Sequence, residues 1–124
     1  IEKLKDAGIK TSLFIEPIPD NVDQSLEYGA DMIEIHTGKY ARLTEPAEVL
    51  AELEKIRQTA SIAKELGIGV NAGHGLNYHN ITAIANMQDI DEVSIGHSII
   101  ARAVFTGLDT AVKDMLNIIR RIRQ

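Results

Sequence analysis

Three of the four histidines, His36, His74 and His97, close short apolar runs and lie within two residues of a glycine. The runs are Ile33-Glu34-Ile35-His36-Thr37-Gly38, Ile68-Gly69-Val70-Asn71-Ala72-Gly73-His74-Gly75 and Val93-Ser94-Ile95-Gly96-His97-Ser98. Imidazole transfers protons near neutral pH because its ordinary pKa is about 6.5. His74, flanked by Gly73 and Gly75, has the freest access to a bound molecule, the bland alternative being a loop histidine bonded to its neighbour. Glu34 is the polar exception among Met32, Ile33 and Ile35. A carboxylate in such a run is costly unless paired or liganded. It therefore either stabilises a cationic intermediate or moves a proton, or else pairs with a lysine or arginine elsewhere. His36 falls on the same side of an extended strand as Glu34 and reads as a core histidine or one that orients Glu34.

The second chemistry is anion binding. Gly96 has no side chain, so a phosphate oxygen can reach the amides of Gly96, His97 and Ser98 at the positive end of a helix. Gly73 and Gly75 would turn a second set of amides toward the same point, and such nests need no lysine. The alternative is two ordinary strand-to-helix turns, with His97 as a helix cap rather than a phosphate or carbonyl partner. A metal site is not expected: neither His-x-His nor His-x-x-x-His occurs. Lys39, Tyr40 and Arg42 form part of a mobile lid or a plain surface loop, and Tyr78 and His79 cap or pack the helix that follows them.

These residues need strands to carry them. The first strand is expected over Ile9–Ile15, stopped by Pro17 and Pro19, with Asp20 capping a helix that turns Val22, Leu26 and Ala30 inward. Met32–His36 is the second strand. A long helix from Glu45 to Leu66 carries an apolar stripe of Val49, Leu50, Leu53, Ile56, Ala60, Ala63 and Leu66, leaving Glu48, Glu52 and Glu54 outside it. Ile68–Ala72 is the third strand, followed by a short helix with Ile81, Ile84 and Ala85 inward. Asp91–Ile95 is the fourth, leading through Gly96 into a helix over His97–Phe105. After Thr106-Gly107, a last helix uses Leu108, Ala111, Val112, Met115, Ile119 and Ile122. Short strands expected to be buried on both faces and alternating with helices require a parallel α/β sheet with right-handed crossovers. Two architectures compete: a small doubly wound sheet, and four consecutive βα units of a TIM (β/α)8 barrel. The extra short helix after the last strand favours the barrel, in which such a helix binds phosphate. A half-barrel has open edges and requires either further residues to complete it or another copy to pair with.

The chain has 124 residues, enough for one domain, and a formal net charge of −5. The acidic balance argues against nucleic acid or an anionic membrane as partner. There is no cysteine, so disulfides and thiol chemistry are excluded. No apolar run approaches the roughly 18 residues of a membrane span, and no signal-peptide pattern opens the chain; a cytoplasmic location is expected. Ile1–Gly8 reads as the last turns of a helix, so residues 1–124 are expected to be the later part of a longer domain.

As a set, Ile33–Gly38 with Tyr40-Ala41, Asn71–Leu76 with Tyr78-His79-Asn80, Ile95-Gly96-His97, and Arg102-Ala103-Val104 with Thr106-Gly107-Leu108 resemble the C-terminal half of the pyridoxine 5'-phosphate synthase family of vitamin B6 biosynthesis. The resemblance runs essentially from end to end. It implies four βα units of a TIM barrel and a transferase-class, ring-closing reaction. In that reaction 3-amino-2-oxopropyl phosphate and 1-deoxy-D-xylulose 5-phosphate give pyridoxine 5'-phosphate, phosphate and water, with no metal or organic cofactor. It further implies that His74 is a proton donor, that Glu34 stabilises the transition state, and that Gly75, Gly96 and His97 hold the amino-ketone phosphate. A homo-oligomer is also expected. The family's other catalytic histidine, its glutamate base and its sugar-phosphate ligands have no counterpart in this chain, so these 124 residues alone are expected to be inactive. Outside this family, a non-catalytic phosphometabolite-binding half-barrel or another phosphosugar isomerase or aldolase barrel would share the same anion site.

Overall fold

The computed structural model describes residues 1–123. Four strands, β1 (Ser12–Ile15), β2 (Met32–His36), β3 (Gly69–Gly73) and β4 (Glu92–Ser94), form one parallel sheet in the order β1-β2-β3-β4. Between and around them lie α1 (Glu2–Asp6), α2 (Pro19–Glu27), α3 (Pro46–Glu65), α4 (Ile81–Ala85), α5 (His97–Thr106) and α6 (Leu108–Ile122), with a 3-10 turn at Tyr40–Arg42. The order is sequential. Crossovers of one hand in a sequential sheet place their helices on the same face, and the reversal of strand order that defines a doubly wound sheet is absent among the described residues.

The burial pattern follows. Ile33, Ile35, Val70 and Ala72 point to the helical side and are fully buried against Val22, Ile56, Ala60, Ala63, Ile81, Ile84 and Met115. The alternate positions Ser12, Phe14, Met32, Glu34, His36, Asn71 and Ser94 face the other side and are exposed or half-buried. The expectation of strands buried on both faces is thus corrected: one face is packed and the other is open.

The turns that return the chain from helix to strand are alike. α1, α2 and α3 each run into a left-handed glycine, Gly8, Gly29 or Gly67. The next residue's amide then reaches back to the helix: Ile9 N to Leu4 O, Ala30 N to Ser25 O, Ile68 N to Ala63 O. At the start of the sheet, Asp31 accepts from the amide of Thr11 at 2.7 Å and Asp91 from the amide of Val70 at 2.9 Å.

Several boundaries differ from the sequence reading. β1 begins at Ser12 rather than Ile9, which is half-exposed, because Thr11 is engaged by Asp31. α2 starts at Pro19 with Ile18 in the cap position, so Asp20 supplies first-turn charge rather than a cap. α2 ends at Glu27, and Ala30 is buried beyond it. β4 is shorter than Asp91–Ile95. On α3, Leu50 and Leu66 are exposed while Glu52 is buried. The reversal has a local cause: Glu52 Oε2 takes Lys39 Nζ at 2.7 Å and Lys55 Nζ at 3.6 Å, so its charge is matched where it sits.

Candidate active site

The C-terminal ends of β2, β3 and β4 surround a cavity of about 550 Å³. Glu34, His74, Gly75, Gly96 and His97 all line it, so the five residues singled out in the sequence come together at one place. A concavity of similar size, about 530 Å³ around Ile1, Glu2 and Tyr28, contains none of them.

Glu34 lies in the centre of the open face. Parallel register sets it beside Phe14 on β1 and Asn71 on β3. Its Oε2 accepts a hydrogen bond from Ser94 Oγ at 3.0 Å, two strands away. The carboxylate crosses β3 at Gly73, where a Cβ would collide with Glu34 Oε1 and stand 2.8 Å from Ser94 Cβ. The alternative of a lysine or arginine partner is not what the structure contains: the neighbour is a hydroxyl, and the charge faces the cavity.

His74 is the one non-glycine residue with positive φ among the described residues, at 80°, and Gly75 follows at 75°. The left-handed region is unfavourable for a side chain by roughly 1–2 kcal/mol. Thr37 Oγ1 stands 2.7 Å from the carbonyl oxygens of both Gly73 and His74, and Thr37 N donates to Gly73 O at 2.8 Å. A Cβ on Gly38 would stand 2.5 Å from His36 Nε2 and 2.7 Å from His74 Cδ2, so both imidazoles rest on this glycine. Their ring centroids are 5.0 Å apart, edge to face. His36 does not orient Glu34. Its Nδ1 is 2.6 Å from Glu16 Oε1, and its ring packs on Phe14.

The loop after β3 is braced from within. Asn77 Oδ1 accepts from the amides of His79 and Asn80, and Asn80 Nδ2 donates to Gly75 O at 3.1 Å. Ser98 Oγ donates to Leu76 O at 2.8 Å, tying the loop after β3 to the first turn of α5. No side chain caps α5, and its first intrahelical bond is Ile100 N to Gly96 O. The amides of the first turn therefore have no partner within the helix and carry its positive end. Gly75 and Gly96 sit on neighbouring strand ends, on the rim of the same cavity.

The segment after β2 is tied to α3 and to the loop after β3. Tyr40 is buried, its hydroxyl donates to Asn80 O at 2.8 Å, and burial pushes its phenol above the ordinary value. Lys39 is held by Glu52, whose carboxylate raises the ammonium above the usual lysine value. The Tyr78 hydroxyl donates to Ala111 O on α6, and the Arg102 guanidinium of α5 lies 4.8 Å above its ring. His79 is exposed beside these contacts. Phe14 and Ser94 line the cavity too, unforeseen in the sequence, as was Thr37 beneath it. For Ser94 and Phe14 there was a signal: each shares strand face and register with a residue already singled out.

No group of three or more histidine, aspartate or glutamate side chains suited to a metal ion occurs among the described residues, and no helix there is long and apolar enough to cross a membrane.

Comparison with known proteins gives a consistent answer. The family model described as pyridoxal phosphate biosynthesis protein PdxJ matches residues 1–121. A pyridoxine 5'-phosphate synthase of Geobacter sulfurreducens is 52% identical over 120 residues, which is 97% of this chain and 50% of that protein. Those of Chloroherpeton thalassium and of Chlorobium phaeobacteroides strain DSM 266 are 48% and 52% identical, each again over 97% of this chain and 51% of theirs. The chain thus spans about half the length of the curated relatives it matches.

Proposed function

Since the chain belongs to the family described as pyridoxal phosphate biosynthesis protein PdxJ, we propose that the complete protein is a pyridoxine 5'-phosphate synthase and that residues 1–124 supply one half of its site. The reaction is the condensation of 3-amino-2-oxopropyl phosphate with 1-deoxy-D-xylulose 5-phosphate, giving pyridoxine 5'-phosphate, phosphate and water. The single observation that carries this reading is the convergence of His74, Glu34, Gly75, Gly96 and His97 on one cavity at adjacent strand ends.

In the architecture we favour, these are four consecutive βα units of a TIM barrel, with α5 as the phosphate-binding helix after the last strand. The sequential parallel order and the one-sided placement of helices support it. The open face would then line the barrel interior, and a second set of four units would cover it.

The chemistry follows from the positions. Free amides at Gly96 and His97, with Gly75 opposite, hold the phosphate of the amino ketone, and the dipole of α5 favours its charge. That contact fixes the reacting carbons, where a misplacement of an ångström costs about a hundredfold in rate. His74, at the rim, protonates a leaving hydroxyl or a carbonyl oxygen during imine formation, dehydration and ring closure. Glu34, anchored by Ser94, offsets positive charge on a nitrogen-bearing intermediate. Small phosphorylated substrates are the partners, and none of these steps requires a cofactor.

Steady-state assay of the complete protein with both substrates tests this. His74→Asn, which keeps the ring's approximate size but cannot donate as an acid, is expected to lower kcat by roughly 10²–10⁴ with little change in KM. Wild-type protein without turnover of this substrate pair, or His74→Asn with full kcat, would overturn the assignment.

A further inference from the structure

We infer that Thr37 is a positioning residue for the reaction, holding the His74–Gly75 backbone in the left-handed turn that aims the acid and the phosphate amide into the cavity. The inference rests on the functional reading above and adds a residue with no part in binding or proton transfer itself. Thr37 is fully buried. Its amide makes the last ladder bond beyond β2, to Gly73 O. Its hydroxyl has one hydrogen and stands 2.7 Å from two carbonyl oxygens, those of Gly73 and His74. Those carbonyls belong to the two peptide groups that flank His74 Cα, so the hydroxyl grips the residue on both sides.

The grip is needed because the conformation is uphill. A side chain at φ of 80° persists only where the surroundings over-determine it. Asn80 Nδ2 fixes the next carbonyl, Gly75 O, but nothing else among the described contacts reaches the carbonyl of His74. Without the hydroxyl, the peptide between His74 and Gly75 is free to rotate toward an ordinary backbone angle. The imidazole then leaves its seat on Gly38, and the Gly75 amide turns from the phosphate.

Thr37→Val removes the hydroxyl at nearly constant shape, and Thr37→Ser keeps it. In the complete protein, Thr37→Val is expected to lower kcat by about tenfold or more and to raise KM for the amino-ketone phosphate, while Thr37→Ser retains near wild-type values. Backbone NMR of His74, through its three-bond HN–Hα coupling and Cα shift, is expected to report loss of the left-handed angle in the valine variant only. Titration with inorganic phosphate is expected to shift the Gly75 amide in wild type and in the serine variant. Full kcat in a folded Thr37→Val protein overturns the inference, as does a serine variant that loses activity despite its hydroxyl; the second arm holds even if the valine variant fails to fold. A wild-type protein that neither turns over nor responds to phosphate at Gly75 would instead remove the functional reading on which the inference stands.

Discussion

Gly73 shows how closely the site depends on single atoms. The Glu34 carboxylate occupies the space over its Cα on the way to Ser94, and a methyl group there would collide with Oε1. Gly73→Ala is therefore expected to displace the carboxylate or the strand, at a cost of about 1–3 kcal/mol by overpacking. The functional loss should exceed the structural one. A shift of about an ångström in Glu34 is expected to cost on the order of a hundredfold in kcat, whereas Ser94→Ala, which deletes only the anchoring hydrogen bond, costs less. Thermal unfolding and steady-state kinetics of the two variants check the order; an alanine at position 73 with wild-type kcat would show that the carboxylate does not need that path.

At the scale of elements, the sheet is locked at its start by two aspartates that do the same task. Asp31 takes the Thr11 amide; Asp91 takes the Val70 amide and pairs with Lys64 at 2.7 Å. The Lys64 ammonium beside Asp91, with the Val70 amide, holds its carboxyl below the ordinary value, and the Thr11 amide does so for Asp31. A depressed folded-state pKa contributes stability above the unfolded value of about 3.9 and loses it as pH falls through the folded one. Asp91→Asn is accordingly expected to destabilise by about 1 kcal/mol at pH 7, the half-exposed pair being discounted for screening. The difference from wild type should close as pH drops below about 4. Melting temperatures of the two proteins across pH 2–7 measure it; a gap that persists undiminished at the acid end would assign the effect to packing.

Much of this was legible in the chain. Short apolar runs and helix-ending glycines located the strands, and the two Gly-His pairs, Gly73-His74 and Gly96-His97, led to the cavity. What stayed hidden depended on partners distant in sequence. Glu52 is buried because Lys39 comes to it from another loop, and His36 turns to Glu16 from the end of β1. Thr37 gave no signal of its own because its hydroxyl meets the carbonyls of Gly73 and His74, far along the chain. No periodicity in a single segment records such pairings.

For the whole molecule, the sequential strand order has a consequence beyond the site. All crossovers on one face leave the other face bare, with Phe14 56% exposed, and leave β1 and β4 as edges with unpaired backbone groups. A second bare surface runs along α5 and α6, where Ile100, Val104, Phe105, Leu108, Val112 and Leu116 are exposed. Each such side chain gains about 1.5–3 kcal/mol on full burial, so covering several of them together offsets an association cost of roughly 4–15 kcal/mol. Residues 1–124 by themselves are therefore expected to self-associate, and under the proposed barrel architecture a second set of units covering the sheet would relieve part of that tendency. Sedimentation velocity over a range of concentrations should show species heavier than the 13.6 kDa chain. Phe14→Ser should weaken association if the open sheet is the contact, and paired Val104→Ser and Phe105→Ser changes should do so if the helical surface is. A profile that stays monomeric at every concentration would mean that the exposed apolar groups are too dispersed to bind one another, and that covering the open face is needed for chemistry rather than for solubility.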